Sequence, residues 1–348
     1  MIKVGIVGAT GYAGVELLRL LLQHPEVKVT EIVSHSFEDK NISDIYESFN
    51  ENCKLICSSY TDFMKTGITK CDLVFAALPH GLSEDIAFKC DRQGIVFIDI
   101  GADFRLEDEE SYKKWYGLSY KHKALHSKAQ YGLPELYRKQ IKQSRIIANP
   151  GCYPTSIILA LVPALRKTLI SLSSIIIDAK SGLTGAGREL SSASHYIECN
   201  ESMKAYKIGC HRHTPEIEQE LSKAANTEIL VNFTPHLLPI NRGILSTIYC
   251  DLEVPITLEE LIELYRNFYA DEKFVRVLDI GKSVEIKNVR GSNYCDISLN
   301  IDIRTNRLII NSTIDNMIKG AAGQAIQNMN LIFGLAENLG LCYIPMVF

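Results

Sequence analysis

Ile2-Lys3-Val4-Gly5-Ile6-Val7-Gly8-Ala9-Thr10-Gly11-Tyr12-Ala13-Gly14 runs an apolar, strand-like stretch into a turn spaced by glycines. Val15–Gln23 then sets Leu17, Leu18, Leu21 and Leu22 on one helical face. His24-Pro25 stops that helix, because the residue before a proline is driven out of the helical region. Val27–Ser34 follows as a second apolar strand. Strand, helix and strand make a βαβ unit, whose first turn can offer helix N-terminal amides to a pyrophosphate. The spacing is GxxGxxG rather than GxGxxG, so the flanking unit carries the dinucleotide reading more than the glycines do.

Outward from this unit, the apolar runs Asp72–Leu78, Ile95–Asp99 and Arg145–Asn149 alternate with helix-like stretches, the pattern of a parallel sheet covered by helices. Beyond Cys152 the texture changes. A helix is expected from about Thr155 to Leu165 and a strand at Ile175–Lys180, followed by a Gly/Ser/His-rich stretch and several alternating strands. Cys295–Ile303 and Leu308–Ile314 flank Arg304-Thr305-Asn306, with Ile297, Leu299, Ile301 and Ile303 on one face at period two. The reading is an α/β Rossmann-type domain joined to an α+β domain with a mostly antiparallel sheet. A last helix, roughly Asn316–Leu335, carries Gly320, Ala321, Ala322, Gly323 and Ala325 and is expected to rejoin the first domain. The expected domains are 1–150 plus 315–348, and 151–314.

The 348 residues, 46% hydrophobic and 22% charged, fit a two-domain globular protein and exclude disordered and fibrous classes. Lys+Arg 37 against Asp+Glu 41 gives a net charge of -4 with no basic stripe, so nucleic acid is not expected as a partner. Met1-Ile2-Lys3-Val4 enters a strand without signal-peptide features, and no apolar run approaches the ~18 residues of a membrane span. A cytoplasmic protein with no membrane partner is expected, and its ten cysteines are read as free thiols.

An NAD-type site places Asp or Glu about 20 residues after the glycine turn, on the ribose 2′-hydroxyl. Here the second strand ends Ile32-Val33-Ser34-His35-Ser36, with Lys40 beyond. Hydroxyl, imidazole and ammonium groups suit a 2′-phosphate, so NADP(H) is the expected cofactor. The cofactor-binding set is Gly8, Thr10, Gly11, Tyr12, Gly14, Ser34, His35, Ser36 and Lys40, with Pro79 of the Leu78-Pro79-His80-Gly81 loop and Asn316 near the last helix.

Ala148-Asn149-Pro150-Gly151-Cys152-Tyr153-Pro154-Thr155 is a rigid turn from a strand into a helix. A cysteine there meets the positive end of the helix, which favours the thiolate. Cys71 and Cys250, in or beside apolar runs, read as core residues. Among nine histidines, His211-Arg212-His213-Thr214-Pro215-Glu216 holds the one dense cluster, a source of a base for the thiol. No ligand pattern completes a metal site beside it. Ser181 and Gly182, in the Lys180–Arg188 loop, together with Arg188, Arg105 and Arg212, offer hydroxyls, amides and guanidiniums to an anionic substrate carrying carboxylate and phosphate.

Taken together, these motifs resemble the N-acetyl-gamma-glutamyl-phosphate reductase family and, more distantly, the aspartate-semialdehyde dehydrogenases. The resemblance spans essentially the whole chain. It rests on the glycine turn, Leu78-Pro79-His80-Gly81, Ala102-Asp103-Phe104-Arg105-Leu106, Tyr131-Gly132-Leu133-Pro134-Glu135, the Cys152 turn, Gly185-Ala186-Gly187-Arg188, the His211–Glu216 segment and Lys319-Gly320-Ala321-Ala322-Gly323-Gln324-Ala325. It implies NADPH-dependent reductive dephosphorylation of N-acetyl-L-glutamyl 5-phosphate in arginine biosynthesis, with Cys152 as nucleophile. It also implies His213 as acid/base, His211 orienting substrate, Asn149 helping an oxyanion, and a homodimer or homotetramer assembled through the catalytic domain. Ser156, Thr184 and His35 depart from the family pattern. The alternatives are a reductase of an aspartyl or aminoadipyl phosphate and a non-catalytic NADP sensor.

Overall fold

The computed structural model describes residues 1–346, which fold as two compact units. The first contains Met1–Pro150 and Ala321–Cys342; the second contains Gly151–Gly320 and the chain from Tyr343. The crossing expected at residue 315 therefore falls at Gly320/Ala321, and the chain leaves the first unit again after Cys342.

Seven strands form the sheet of the first unit: β1 (Ile2–Val7), β2 (Val27–Val33), β3 (Cys57–Ser58), β4 (Leu73–Ala76), β5 (Val96–Asp99), β6 (Ala129–Tyr131) and β7 (Ile146–Ala148). All pair parallel, in the order β3-β2-β1-β4-β5-β7-β6. Helices on both faces bury the strands, so β4 and β5 are buried at every residue. β3 and β6, two and three residues long, are too short to show a period in sequence. The first helix covers Tyr12–Leu21 rather than Val15–Gln23, because Gly11 takes the extended N-cap conformation and starts it inside the glycine turn. The strand order reverses between β1 and β4, where the carboxyl ends of an open sheet leave a crevice for a ligand.

The second unit is built on β8 (Ile176–Ser181), β9 (Lys204–Ala205), β10 (Asn232–Leu237), β11 (Ile244–Asp251), β12 (Val275–Val277), β13 (Cys295–Asp302) and β14 (Arg307–Ile314). The order is β12-β13-β14-β11-β8-β10-β9. The sheet is mixed: β8/β10 and β12/β13 run parallel, and the other pairs antiparallel. Ile297 and Leu299 are buried as the period requires, but β13 ends at Asp302 and the turn leaves Ile303 90% exposed.

Helix Cys152–Arg166 lies at the centre of this unit, and every residue from Tyr153 to Leu165 is buried. Pro163 has no N–H for the carbonyl of Leu159, and the Tyr269 hydroxyl donates to that carbonyl instead. Ser156, one of the departures, lies 3.0 Å from Ser246 Oγ and 3.1 Å from Ser312 Oγ, so its buried hydroxyl can donate to one and accept from the other. Near the end of the chain, a π-type turn over Ile318–Ala322 precedes helix Gly323–Ile332. That wider turn replaces the start of the single helix expected over Asn316–Leu335.

Candidate active site

Each glycine of the first turn has its own physical reason. Gly8 has φ +84, and a Cβ there would strike the Ala77 carbonyl. One at Gly14 would meet the Gly8 carbonyl and lie 2.8 Å from Ala9 Cα. Gly11 is the N-cap, and no side chain caps the helix that follows. The first-turn amides are therefore open to a phosphate, and no acidic side chain sits in that turn. Thr10 and Ser34 share a 2.7 Å hydroxyl bond that closes the base of the turn, while Tyr12 projects 36% exposed. His35, Ser36 and Lys40 stand exposed beyond the end of β2. This cradle fits a dinucleotide.

Pro79 lies in the loop after β4, which buried carboxylates hold. Asp103 accepts from Gly81 N at 2.6 Å, Ser83 N at 2.9 Å and the Tyr112 hydroxyl at 2.9 Å. Asp99 accepts from Ser83 Oγ at 2.8 Å, Gly101 N at 3.0 Å and Asp103 N at 3.1 Å. Burial, and next the charge of Asp103, raise the Asp99 carboxyl to about 7.

Cys152 is the first residue of its helix rather than lying three residues ahead of it, with Gly151 as an extended N-cap. The residue is half-buried, no acidic residue lies in the first turn, and no side chain caps the helix. The dipole end favours a thiolate, and the first-turn amides can hold an oxyanion. Cys71 and Cys250 are core residues, and burial pushes their thiols up to about 11 and about 12. Glu216, fully buried, accepts the Gly151 N–H at 2.8 Å and so ties the start of helix Thr214–Ala225 to that of the Cys152 helix. The His211–Glu216 motif contains this residue, but its spacing alone gives it no task. The available signal is a carboxylate three residues after a histidine, on a helix beginning Thr-Pro.

His213 is the N-cap of helix Thr214–Ala225, and its ring centroid lies 6.0 Å from that of Tyr153, the residue after Cys152. His211 is buried, 4.9 Å from the His213 ring, and burial followed by the charges of Lys207 and Arg212 pushes it down to about 4. That shift favours the neutral imidazole at pH 7.

The anion candidates are not equivalent. Arg188 is exposed and Arg212 partly buried, whereas Arg105 is buried with Nε on the Asn149 carbonyl at 2.8 Å and Nη2 on the Ile100 carbonyl at 2.8 Å. Ser181 donates to the Gly182 carbonyl at 3.0 Å, and a Cβ at Gly182 would sit 2.6 Å from the Asn241 carbonyl. Asn149 is fully buried, donating to the Ala321 carbonyl at 3.1 Å and accepting from Asn328 at 3.2 Å. Its amide thereby braces the end of β7. Asn316, expected at the cofactor, joins Gly243 N and Thr184 Oγ1 at 2.8 and 3.0 Å, so its amide braces the loop after β8. Thr184 thus supplies the hydroxyl that its departure from serine preserves. Among the described residues, no cluster of three metal-ligating side chains occurs and no helix is long and apolar enough to cross a membrane.

A parallel sheet with an uncapped glycine turn at its switch point, in one chain with a separate thiol-bearing unit, defines a dinucleotide-binding oxidoreductase. The NAD binding domain of the semialdehyde dehydrogenases matches residues 3–144, and their dimerisation domain matches 152–316. The chain belongs to the semialdehyde dehydrogenase family. It is similar to an N-acetyl-gamma-glutamyl-phosphate reductase of Brachyspira hyodysenteriae, 57% identical over 100% of both chains. One of Clostridium beijerinckii is 56% identical over 100% of both. Among solved structures, aspartate semialdehyde dehydrogenase II of Vibrio cholerae shares the fold with a TM-score of 0.73 at 19% identity, covering 96% of this chain and 99% of that one. Aspartate semialdehyde dehydrogenase of Candida albicans, solved with NADP, has a TM-score of 0.71 at 16% identity, covering 97% and 99%.

Proposed function

We propose that this chain reduces N-acetyl-L-glutamyl 5-phosphate to N-acetyl-L-glutamate 5-semialdehyde, with NADPH as reductant and release of phosphate, in arginine biosynthesis. The observation that carries the chemistry is Cys152 at the first position of a buried helix with no side-chain cap. The full-length relatives named for this reaction support the substrate.

The Cys152 thiolate attacks the acyl carbon, the carbon–oxygen bond to phosphate breaks, and phosphate leaves with the bonding electrons, forming a thioester on Cys152. A reduced nicotinamide seated at the glycine turn would supply the hydride that reduces this thioester. Amides of the helix start hold the oxyanion of the resulting thiohemiacetal. Its carbon–sulfur bond then breaks, releasing the aldehyde and restoring the thiolate. His213 takes the proton of the resting Cys152 thiol before the attack, and returns it to the restored thiolate once the aldehyde has left. Gly8, Gly11 and Gly14 would seat the pyrophosphate, and Ser34, His35, Ser36 and Lys40 the 2′-phosphate. Arg105, Arg188 and Arg212 are the candidates for substrate anions. The chain acts in the cytoplasm as a homodimer or homotetramer assembled through its second unit.

The test is the reverse reaction: phosphate-dependent reduction of NADP+ by N-acetylglutamate semialdehyde. Its kcat/KM should exceed that for aspartate semialdehyde by about 10²-fold or more, since a pocket built for the acetamido group loses its hydrogen bonds with the smaller substrate. A preference for aspartate semialdehyde would reject the substrate assignment.

A further inference from the structure

We infer that Tyr206 is a positioning residue: it holds His211 in a single tautomer, and His211 in turn holds the backbone of His213, so that His211 is neither acid/base nor substrate ligand. The importance of this arrangement for turnover rests on the function proposed above; the hydrogen-bond chain itself stands on geometry alone.

His211 is 8% exposed and faces the rings of Tyr153, Tyr206, Phe233 and His213 at 5.6, 5.5, 5.4 and 4.9 Å. Its Nδ1 lies 3.1 Å from the backbone N of His213. A backbone N–H can only donate, so Nδ1 carries no proton and the neutral ring is protonated at Nε2. Nε2 lies 3.4 Å from Tyr206 Oη, which must therefore accept. The Tyr206 hydroxyl then donates to Tyr153 Oη at 3.4 Å, and the Tyr153 hydroxyl to the His236 carbonyl at 3.3 Å. One end of the chain is an amide that only donates and the other a carbonyl that only accepts. Every proton between them points the same way.

Both ring nitrogens of His211 are thereby occupied, which leaves none for a substrate oxygen. Protonating Nδ1 would set a donor against the His213 N–H, and Lys207 and Arg212 oppose the added charge, in line with a His211 pushed down to about 4 by burial and these cations. Burial also pushes the Tyr206 hydroxyl up to about 12, so it stays protonated and able to pass the chain on. Tyr206 is fixed by its own backbone: β9 ends at Ala205, and Tyr206 N donates to the Pro235 carbonyl at 3.0 Å. The chain thus links the edge strand, the histidine segment and Tyr153. It bears on His213 at its N-cap position, where the backbone sets the stance of the imidazole.

The test uses the full chain labelled with 15N-histidine. Long-range 1H–15N spectra should show one histidine, identified by its loss in His211→Asn, as the Nε2–H tautomer and without titration from about pH 5 to 9. Tyr206→Phe should abolish the slowly exchanging Nε2 proton and lower kcat about tenfold, with KM for the semialdehyde within about twofold. His211→Asn supplies a side-chain carbonyl to the His213 N–H, so it should keep kcat within about tenfold of wild type and leave the pH profile of kcat/KM unchanged. An Nδ1–H tautomer, titration of His211 near its ordinary value, or loss of a limb of the pH profile in His211→Asn would overturn the inference. Full activity in His213→Asn would instead reject His213 as acid/base, while the spectra would still decide the tautomer.

Discussion

A methyl group at Gly320 should disable the thiol from the far side. A Cβ built there falls 2.7 Å from Cys152 Cβ, 3.2 Å from Cys152 Cα and 3.3 Å from Ile314 Cδ1. Carbon atoms prefer about 3.5–4.0 Å, so Cys152 and Gly320 must part by roughly 1 Å. Neither yields easily. Gly320 N donates to the Asp315 carbonyl at 3.0 Å, and the Asp315 carboxylate holds Met317 N and Ile318 N at 2.8 and 3.2 Å. Cys152 begins a helix buried from its second residue. Overpacking of this kind costs about 1–3 kcal/mol, and a displacement of ~1 Å at a reacting group costs about 10²-fold in rate. Gly320→Ala should therefore lower kcat of the reverse reaction about 10²-fold and lower Tm by several degrees, at about 2–4 °C per kcal/mol for a unit of this size. The opposite sign is the informative failure. Without the close approach, alanine in a helical turn stabilises by about 1 kcal/mol over glycine. A Gly320→Ala protein with raised Tm and wild-type kcat would refute the reasoning.

Three other outcomes follow from single contacts. Tyr269→Phe leaves the Leu159 carbonyl, freed by Pro163, without its donor, and should destabilise by about 1–3 kcal/mol in urea unfolding, with m unchanged. Asp99 is raised from 3.8 to about 7 in the folded chain, so its contribution to stability is full below about pH 4 and is lost as pH rises through about 7. Asp99→Asn, which cannot titrate, should flatten that part of the stability profile, and an unchanged slope would remove Asp99 as its source. Iodoacetamide at neutral pH should label Cys152 well before Cys71 or Cys250, whose thiols burial raises to about 11 and about 12, as peptide mass spectrometry can show.

What could be read in the sequence is what depends on local period and turn chemistry. The Ile2–Gly14 run shows β1 and the glycine turn, because apolar runs and glycine demand act over a few residues, although the helix begins at Tyr12, inside that turn, and not at Val15. Cys152 stands out among ten cysteines because its own Pro-Gly-Cys-Tyr-Pro setting marks a helix start. The unread features depend on partners distant in the chain. Glu216 meets Gly151 65 residues away, and Ser156 meets Ser246 and Ser312 at separations of 90 and 156, which no window on the sequence can register. Ile303 departs from its expected burial for a local reason: the alternation continues one residue past the end of β13, and the turn carries that isoleucine into solvent. Asn149 and Asn316 suggest ligand chemistry by residue type, and the contacts that residue type does not show are the distant ones, Asn149 to the Ala321 carbonyl and Asn316 to Gly243 N.

In the proposed mechanism Cys152 carries the acyl group. The direct measurement mixes the protein with N-acetyl-L-glutamyl 5-phosphate in the absence of any nicotinamide, and follows phosphate release and intact mass together. A burst of about one phosphate per chain and an N-acetylglutamyl adduct on the Cys152 peptide are expected, with neither in Cys152→Ser. Phosphate-releasing turnover with NADPH in Cys152→Ser, or a wild-type protein that turns over without ever carrying the adduct, would contradict it.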